Sequence, residues 1–281
     1  MHGHRRVHGG LAVKARLAAA VALAAAGTMA QAQSGTELQV FAAGSLRSAL
    51  TDVAQAFERS EAGVRVRFTF GASGLLKDRI AAGERADVFA SANMEHPQAL
   101  ASAGRAGAVR RFARNAMCVL VAPNVDVTPE TLIDRLLDPA IKVGTSTPKA
   151  DPSGDYAWLV FERIEAQGRG GAFKQLTDKA LQLTGGPSSP PPPPGRNVYG
   201  ELVAQGRADI FLTYCTNAVV ALAERPELRS IVVPEALNVR ADYGLAVGRG
   251  APPEADRFAA FVVSSAGQAI LVRHGFLPAG P

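Results

Sequence analysis

The chain has 281 residues, with 30 Lys and Arg against 25 Asp and Glu and a formal net charge of +5. That length permits one large domain or two medium ones with a proper core. The basic excess forms no stripe interleaved with aromatics, so a nucleic-acid partner is disfavoured.

Four basic residues and no acidic ones fall in the first 32 positions. Arg5, Arg6, Lys14 and Arg16 precede the apolar stretch Leu17 to Ala26, and Ala30-Gln31-Ala32 offers a small-x-small cleavage site. The pattern predicts a signal peptide over residues 1–32 and a mature periplasmic protein that begins near Gln33. Its apolar run is shorter than the roughly 20 residues a membrane-spanning helix needs. Without the signal the remaining chain is close to neutral.

From Leu38 strand and helix patterns alternate. Leu38 to Ala43 is a strand, and Leu46, Leu50, Val53 and Phe57 then share one helical face. Val64 to Phe70 alternates as a strand, and Leu76 and Ile80 open a further helix. Asp87 to Ala92 is a third strand, a helix follows from about Pro97, and Met117 to Ala122 is a fourth strand. The succession implies a mostly parallel sheet covered by helices.

The pattern then restarts. Thr128-Pro129 predicts a capped helix carrying Leu132, Ile133, Leu136 and Leu137. Strands follow at Ile141 to Thr145, Leu181 to Leu183, Asp209 to Tyr214, Ile231 to Val233 and Tyr243 to Val247. Helices are expected over Asp155 to Ala166, Ala172 to Lys179, from Asn197-Val198, and over Thr216 to Glu224, Ala255 to Val263 and Gly267 to His274. The fold class is therefore α/β, with two Rossmann-like lobes in series and a cleft at their strand C-terminal ends. Within the second lobe, residues 185–195 hold five consecutive prolines, Pro190 to Pro194, and read as a stiff surface loop.

Cys118 and Cys215 each lie in an apolar run. Free cysteines are commonly buried core residues, while export makes a disulfide possible; spacing alone does not decide between them. Beyond the signal only His96 and His274 remain, thin material for a metal site or a histidine-based catalyst.

Two Ser-Gly junctions carry the most chemistry. Ala42-Ala43-Gly44-Ser45-Leu46 and Gly71-Ala72-Ser73-Gly74-Leu75 each join a strand to a helix. A helix start presents unpaired N–H groups and the positive end of its dipole, so it receives an anion without a cationic side chain. Ser45 and Ser73 also read as plain N-caps. Asp151-Pro152-Ser153-Gly154-Asp155-Tyr156 and Gly195-Arg196-Asn197-Val198 open helices in the second half, and Tyr214 ends a strand with a phenol.

Phe41 to Leu46, Phe70 to Gly74, Ala86 to Ala92, Pro152 to Ala157, Asn197-Val198, Asp209 to Tyr214 and the ending Arg273-His274-Gly275-Phe276 together resemble periplasmic molybdate-binding proteins of ABC transporters. The resemblance covers nearly the whole mature chain. It implies a class II binding-protein fold with lobe I over 36–120 plus 242–281, lobe II over 121–241, and a hinge near Val119 to Ala122 and Arg240 to Gly244. It also implies capture of molybdate or tungstate and delivery to a membrane permease, by a monomer with no cofactor and no enzymatic activity. The ligand residues it implies are Ser45, Ser73, Ser153, Val198 and Tyr214. Ser153 stands where alanine is usual, and the proline loop also departs from the family pattern.

Two alternatives remain. One is a binding protein for another oxyanion such as sulfate or phosphate. The other is a secreted serine hydrolase, against which Gly71-Ala72-Ser73-Gly74 lacks the spacing of a nucleophile elbow.

Overall fold

Strand β1 (Thr36–Ala43) alternates its side chains between two apolar layers. Leu38, Val40 and Ala42 join a core with Leu50, Val53 and Phe57, whereas Phe41 packs with Leu76, Ile80 and Leu100 on the other side. A strand buried on both faces needs helices on both faces. They are α1 (Arg47–Ser60), α9 (Pro253–Val263) and α10 (Ser265–Arg273) on one, α2 (Ser73–Ala81) and α3 (Glu95–Ser102) on the other. The computed structural model describes residues 2, 3, 35–191 and 195–279. The signal expected over 1–32 lies outside the described residues except for positions 2 and 3, as do positions 192–194 of the proline run.

The first sheet also holds β2 (Val64–Gly71), β3 (Val88–Ser91), β4 (Arg110–Asn115) and β10 (Ala241–Val247), in the order β2-β1-β3-β10-β4. The second holds β5 (Met117–Val121), β6 (Val143–Ser146), β7 (Leu181–Thr184), β8 (Ile210–Tyr214) and β9 (Arg229–Val232), in the order β7-β6-β8-β5-β9. Its helices are α4 (Leu132–Leu137), α5 (Pro152–Ala166), α6 (Ala172–Lys179), α7 (Val198–Ala204) and α8 (Cys215–Glu224). Two mixed sheets with interleaved helices make an α/β architecture. Residues from Gly35 onward form one compact unit.

Several details differ from the sequence expectations. Each sheet is half antiparallel rather than mostly parallel, because β10 runs against β3 and β4, and β5 against β8 and β9. Strand β4 was not anticipated: it is an edge strand whose Arg110, Arg111 and Arg114 mask its apolar pattern. The chain leaves the first sheet after Asn115 and β5 lies wholly in the second, so this crossing precedes the expected 119–122. The lobe boundary placed at residue 120 therefore moves back to about 116. Helix α4 starts at Leu132 rather than at Thr128-Pro129, since the Thr128 N–H donates to Thr131 Oγ1 at 2.9 Å and closes a turn first.

Both crossings are pinned by asparagines. Asn238 Oδ1 accepts the Met117 N–H at 2.9 Å, and its amide donates to the Met117 and Val233 carbonyls at 3.0 and 2.8 Å. Asn115 donates to Thr216 Oγ1 at 2.8 Å. Cys118 and Cys215 form a disulfide that ties β5 to the first turn of α8, across a sequence separation of 97. That resolves the two readings left open for these cysteines.

Candidate functional site

The ends of β1, β2, β3, β7 and β8 border one cleft. Its walls come from Ala43, Gly44 and Ser45 after β1, Gly71 and Ala72 after β2, and Ala92 after β3. Opposite them stand Thr184, Gly185 and Gly186 after β7, Tyr214 at the end of β8, and Asn197 and Val198 at the start of α7. The cleft encloses about 580 Å³. Ligands in open α/β sheets bind at this end of the strands, where helix starts leave N–H groups free.

Ser45, Val198 and Tyr214 line the cleft; Ser73 and Ser153 do not, although their neighbours Ala72 and Asp151 do. Ser45 Oγ lies 2.9 Å from the Tyr243 hydroxyl, which in turn accepts from Asn115 Nδ2 at 3.3 Å. Ser73 is buried, and its Oγ accepts the Ala92 N–H at 3.1 Å, leaving its own hydrogen available. The Tyr214 hydroxyl crosses to the first sheet and donates to the Ala92 carbonyl at 3.4 Å. Burial pushes the Tyr214 and Tyr243 phenols well above the ordinary tyrosine range, so both remain protonated donors.

The start of α5 is occupied differently. Asp151 is its N-cap, and its Oδ1 accepts the Ser153 N–H at 3.1 Å. The Gly154 N–H goes to the Asp151 carbonyl at 2.8 Å. Ser153 Oγ is buried without a hydrogen-bond partner among the described residues. Burial raises the Asp151 carboxyl to about 6, against the lowering effect of the Ser153 N–H. Sequence reasoning placed Asp151 in the segment but gave it no role. The signal was present: Asp before Pro at the first helical position is an N-cap pattern.

Cations sit at the mouth rather than the floor. The Arg47 guanidinium lies 4.5 Å from the centre of the Phe70 ring, which stacks on Phe68 at 4.8 Å. Arg196 lines the opposite side. The two halves also touch directly: Gly74 N–H, at the start of α2, donates to the Ala150 carbonyl at 2.9 Å.

No serine–histidine pair forms among the described residues. His274 Nε2 sits 2.8 Å from Asp52, His96 Nε2 is buried without a partner, and Ser73 is bonded as described above. Nor do the described residues bring three metal-ligating side chains together. No single described helix is long and apolar enough to cross a membrane.

The profile of the bacterial extracellular solute-binding proteins matches residues 38–277. The chain belongs to that family. An uncharacterised protein of Pasteurella multocida is 37% identical over 244 residues, covering 86% of this chain and 99% of its own length. The molybdate-binding protein ModA of Mycobacterium tuberculosis is 29% identical over 256 residues, covering 87% of this chain and 85% of its own. Among solved structures, the sulfate-binding protein SubI of Mycobacterium tuberculosis superimposes with a TM-score of 0.73 at 21% identity, covering 88% of each chain. Members of the family serve as the solute-binding components of ABC transporters, and this chain shares their fold.

Proposed function

We propose that this chain captures molybdate or tungstate between its two sheets in the periplasm and delivers it, as a monomer, to an ABC permease, with no chemistry on the ligand. The observation that carries the reading is the convergence of Ser45, Val198 and Tyr214, from both sheets, on one cleft. Ser45 supplies a hydroxyl hydrogen and Val198 a helix-start N–H, and Tyr214 would turn to the ligand the hydrogen it otherwise gives to the Ala92 carbonyl; Ser73 and Ser153 follow the cleft-lining Ala72 and Asp151 by one and two residues. Neutral donors stabilise a desolvated oxyanion without a counter-cation, since hydrogen bonds to a charged group contribute roughly 1.5–3 kcal/mol each. The similarity to ModA supports the metallates.

The ligand would act as a bridge. Donors from both halves reach it only when they approach, so binding favours the closed arrangement. Calorimetry of the exported protein with molybdate, tungstate, sulfate and phosphate tests the assignment. Selective binding of the first two is expected. Tighter binding of sulfate or phosphate keeps the transport role and rejects the metallates.

A second reading, an oxyanion that carries an organic body, has one observation in its favour. Four oxygens at about 30 Å³ each fill on the order of 120 Å³, well short of the 580 Å³ enclosed.

A further inference from the structure

Asp151 stands where an anion-binding cleft should least tolerate it. Its carboxyl group lines the cleft and caps α5, taking the Ser153 N–H that a bound oxyanion would otherwise receive. Space is reserved for it: a Cβ on Gly185 would lie 2.6 Å from Asp151 Oδ2, and Gly185 holds a φ of +77° that disfavours any side chain. Close behind, Ser153 Oγ is fully buried with no partner. A carboxylate facing a dianion is repelled by it, and competes with it for the same donors.

We propose that Asp151 is a specificity-determining residue, and that the bound complex holds one proton between its carboxyl group and the oxyanion. The proposal rests on the oxyanion reading above. A ligand that arrives fully deprotonated, such as molybdate or sulfate, binds with uptake of one proton from solvent onto Asp151. The neutral acid then releases the Ser153 N–H, being a weaker acceptor, and donates its own O–H to the ligand. A ligand that brings its own proton, such as hydrogenphosphate, instead donates that proton's hydrogen bond to the ionised carboxylate and needs no uptake. In either case one proton occupies one position between two oxygens, and the charge balances.

The surroundings favour holding that proton. Asp155 on the same helix adds negative charge, and the other groups that face Asp151 are the protonated phenols of Tyr199 on α7 and Tyr214 on β8. The cleft's remaining charges are Arg47, Arg196 and Glu224, and Glu224 already accepts the Asn197 N–H at 2.8 Å.

Calorimetry of the exported protein and of Asp151→Asn, at pH 8 in buffers of different ionisation enthalpy, counts the protons. Asparagine is an equally good N-cap, so α5 is retained in the variant. In the natural protein molybdate should bind with uptake of close to one proton, and phosphate with close to none. In Asp151→Asn the uptake with molybdate should vanish and its affinity at pH 8 should rise about tenfold. Molybdate binding without proton uptake, and with unchanged affinity in the variant, overturns the role of Asp151 and leaves the oxyanion reading intact. Failure of every anion to bind either protein overturns the oxyanion reading and this inference with it.

Discussion

Ser45 Oγ and the Tyr243 hydroxyl lie 2.9 Å apart, joining the first turn after β1 to the strand that re-enters the first sheet 198 positions later. Tyr243 is fully buried and also bonded by Asn115, at the crossing between the sheets. When Ser45 donates to a ligand, its lone pair must accept, and Tyr243 is the donor in place. Hydrogen bonds in such a chain polarise one another. Tyr243→Phe should therefore weaken anion binding about tenfold while leaving Ser45 in position, and Ser45→Ala should weaken it 10- to 100-fold. Titration calorimetry on both variants decides it. Native affinity in each would leave the Ser45–Tyr243 pair with no part in binding.

Much of this arrangement was legible in the sequence, and the limits are physical. The apolar run Leu38 to Ala43 and the helical stripe Leu46, Leu50, Val53, Phe57 are buried as the pattern demanded. The Ser-Gly junctions were legible as strand-to-helix turns, but the capping role also open to Ser45 and Ser73 is not what they play, since the helix caps fall on Ala43, Leu46 and Ala72 without a side-chain bond. Strand β4 was hidden because an edge strand exposes alternate positions, and its arginines read as loop. The antiparallel directions of β5 and β10 were hidden because direction depends on which sheet the chain re-enters, which no local pattern records. Tyr243 and Asn115 carried no local signal at all; only the crossing geometry brings them to Ser45.

The disulfide gives a prediction about stability. Cys118–Cys215 closes a loop of 97 residues, for which chain-entropy arguments give about 4–5 kcal/mol, and measured values usually fall below that. Cys118→Ser with Cys215→Ser should destabilise by about 2–4 kcal/mol in urea unfolding. Thiol titration of the unfolded, unreduced exported protein should find no reactive thiol. Two titratable thiols would mean the bond is absent from the exported protein.

Asp151 also sets a pH dependence of stability apart from any ligand. The folded chain holds its proton up to about pH 6, whereas an ordinary aspartate gives it up near 3.8. The native state thus binds more protons than the unfolded chain between those values, so stability falls as pH rises through that window. Above pH 6 the loss is complete, at most about 3 kcal/mol by linkage. Asp151→Asn should accordingly be more stable than the natural protein at pH 7.5 and about equally stable at pH 4. An equal difference at both pH values would mean the carboxyl group is not strained by burial.

The proposed closure brings in a backbone contact that a single methyl group can obstruct. Gly74 N–H donates to the Ala150 carbonyl at 2.9 Å, and a Cβ on Gly74 would stand 2.6 Å from both the Ala150 and Lys149 carbonyl oxygens. Those atoms are main chain, so they can move away only by separating α2 from the segment before α5. Within the helix itself alanine is the better residue, by up to ~1 kcal/mol. Gly74→Ala should therefore keep or raise the melting temperature without ligand, while anion affinity falls by about tenfold. Solution scattering at saturating molybdate should show the natural protein contracting and the variant staying expanded. A variant that contracts as fully as the natural protein would mean that the Gly74 contact forms no part of the closed state.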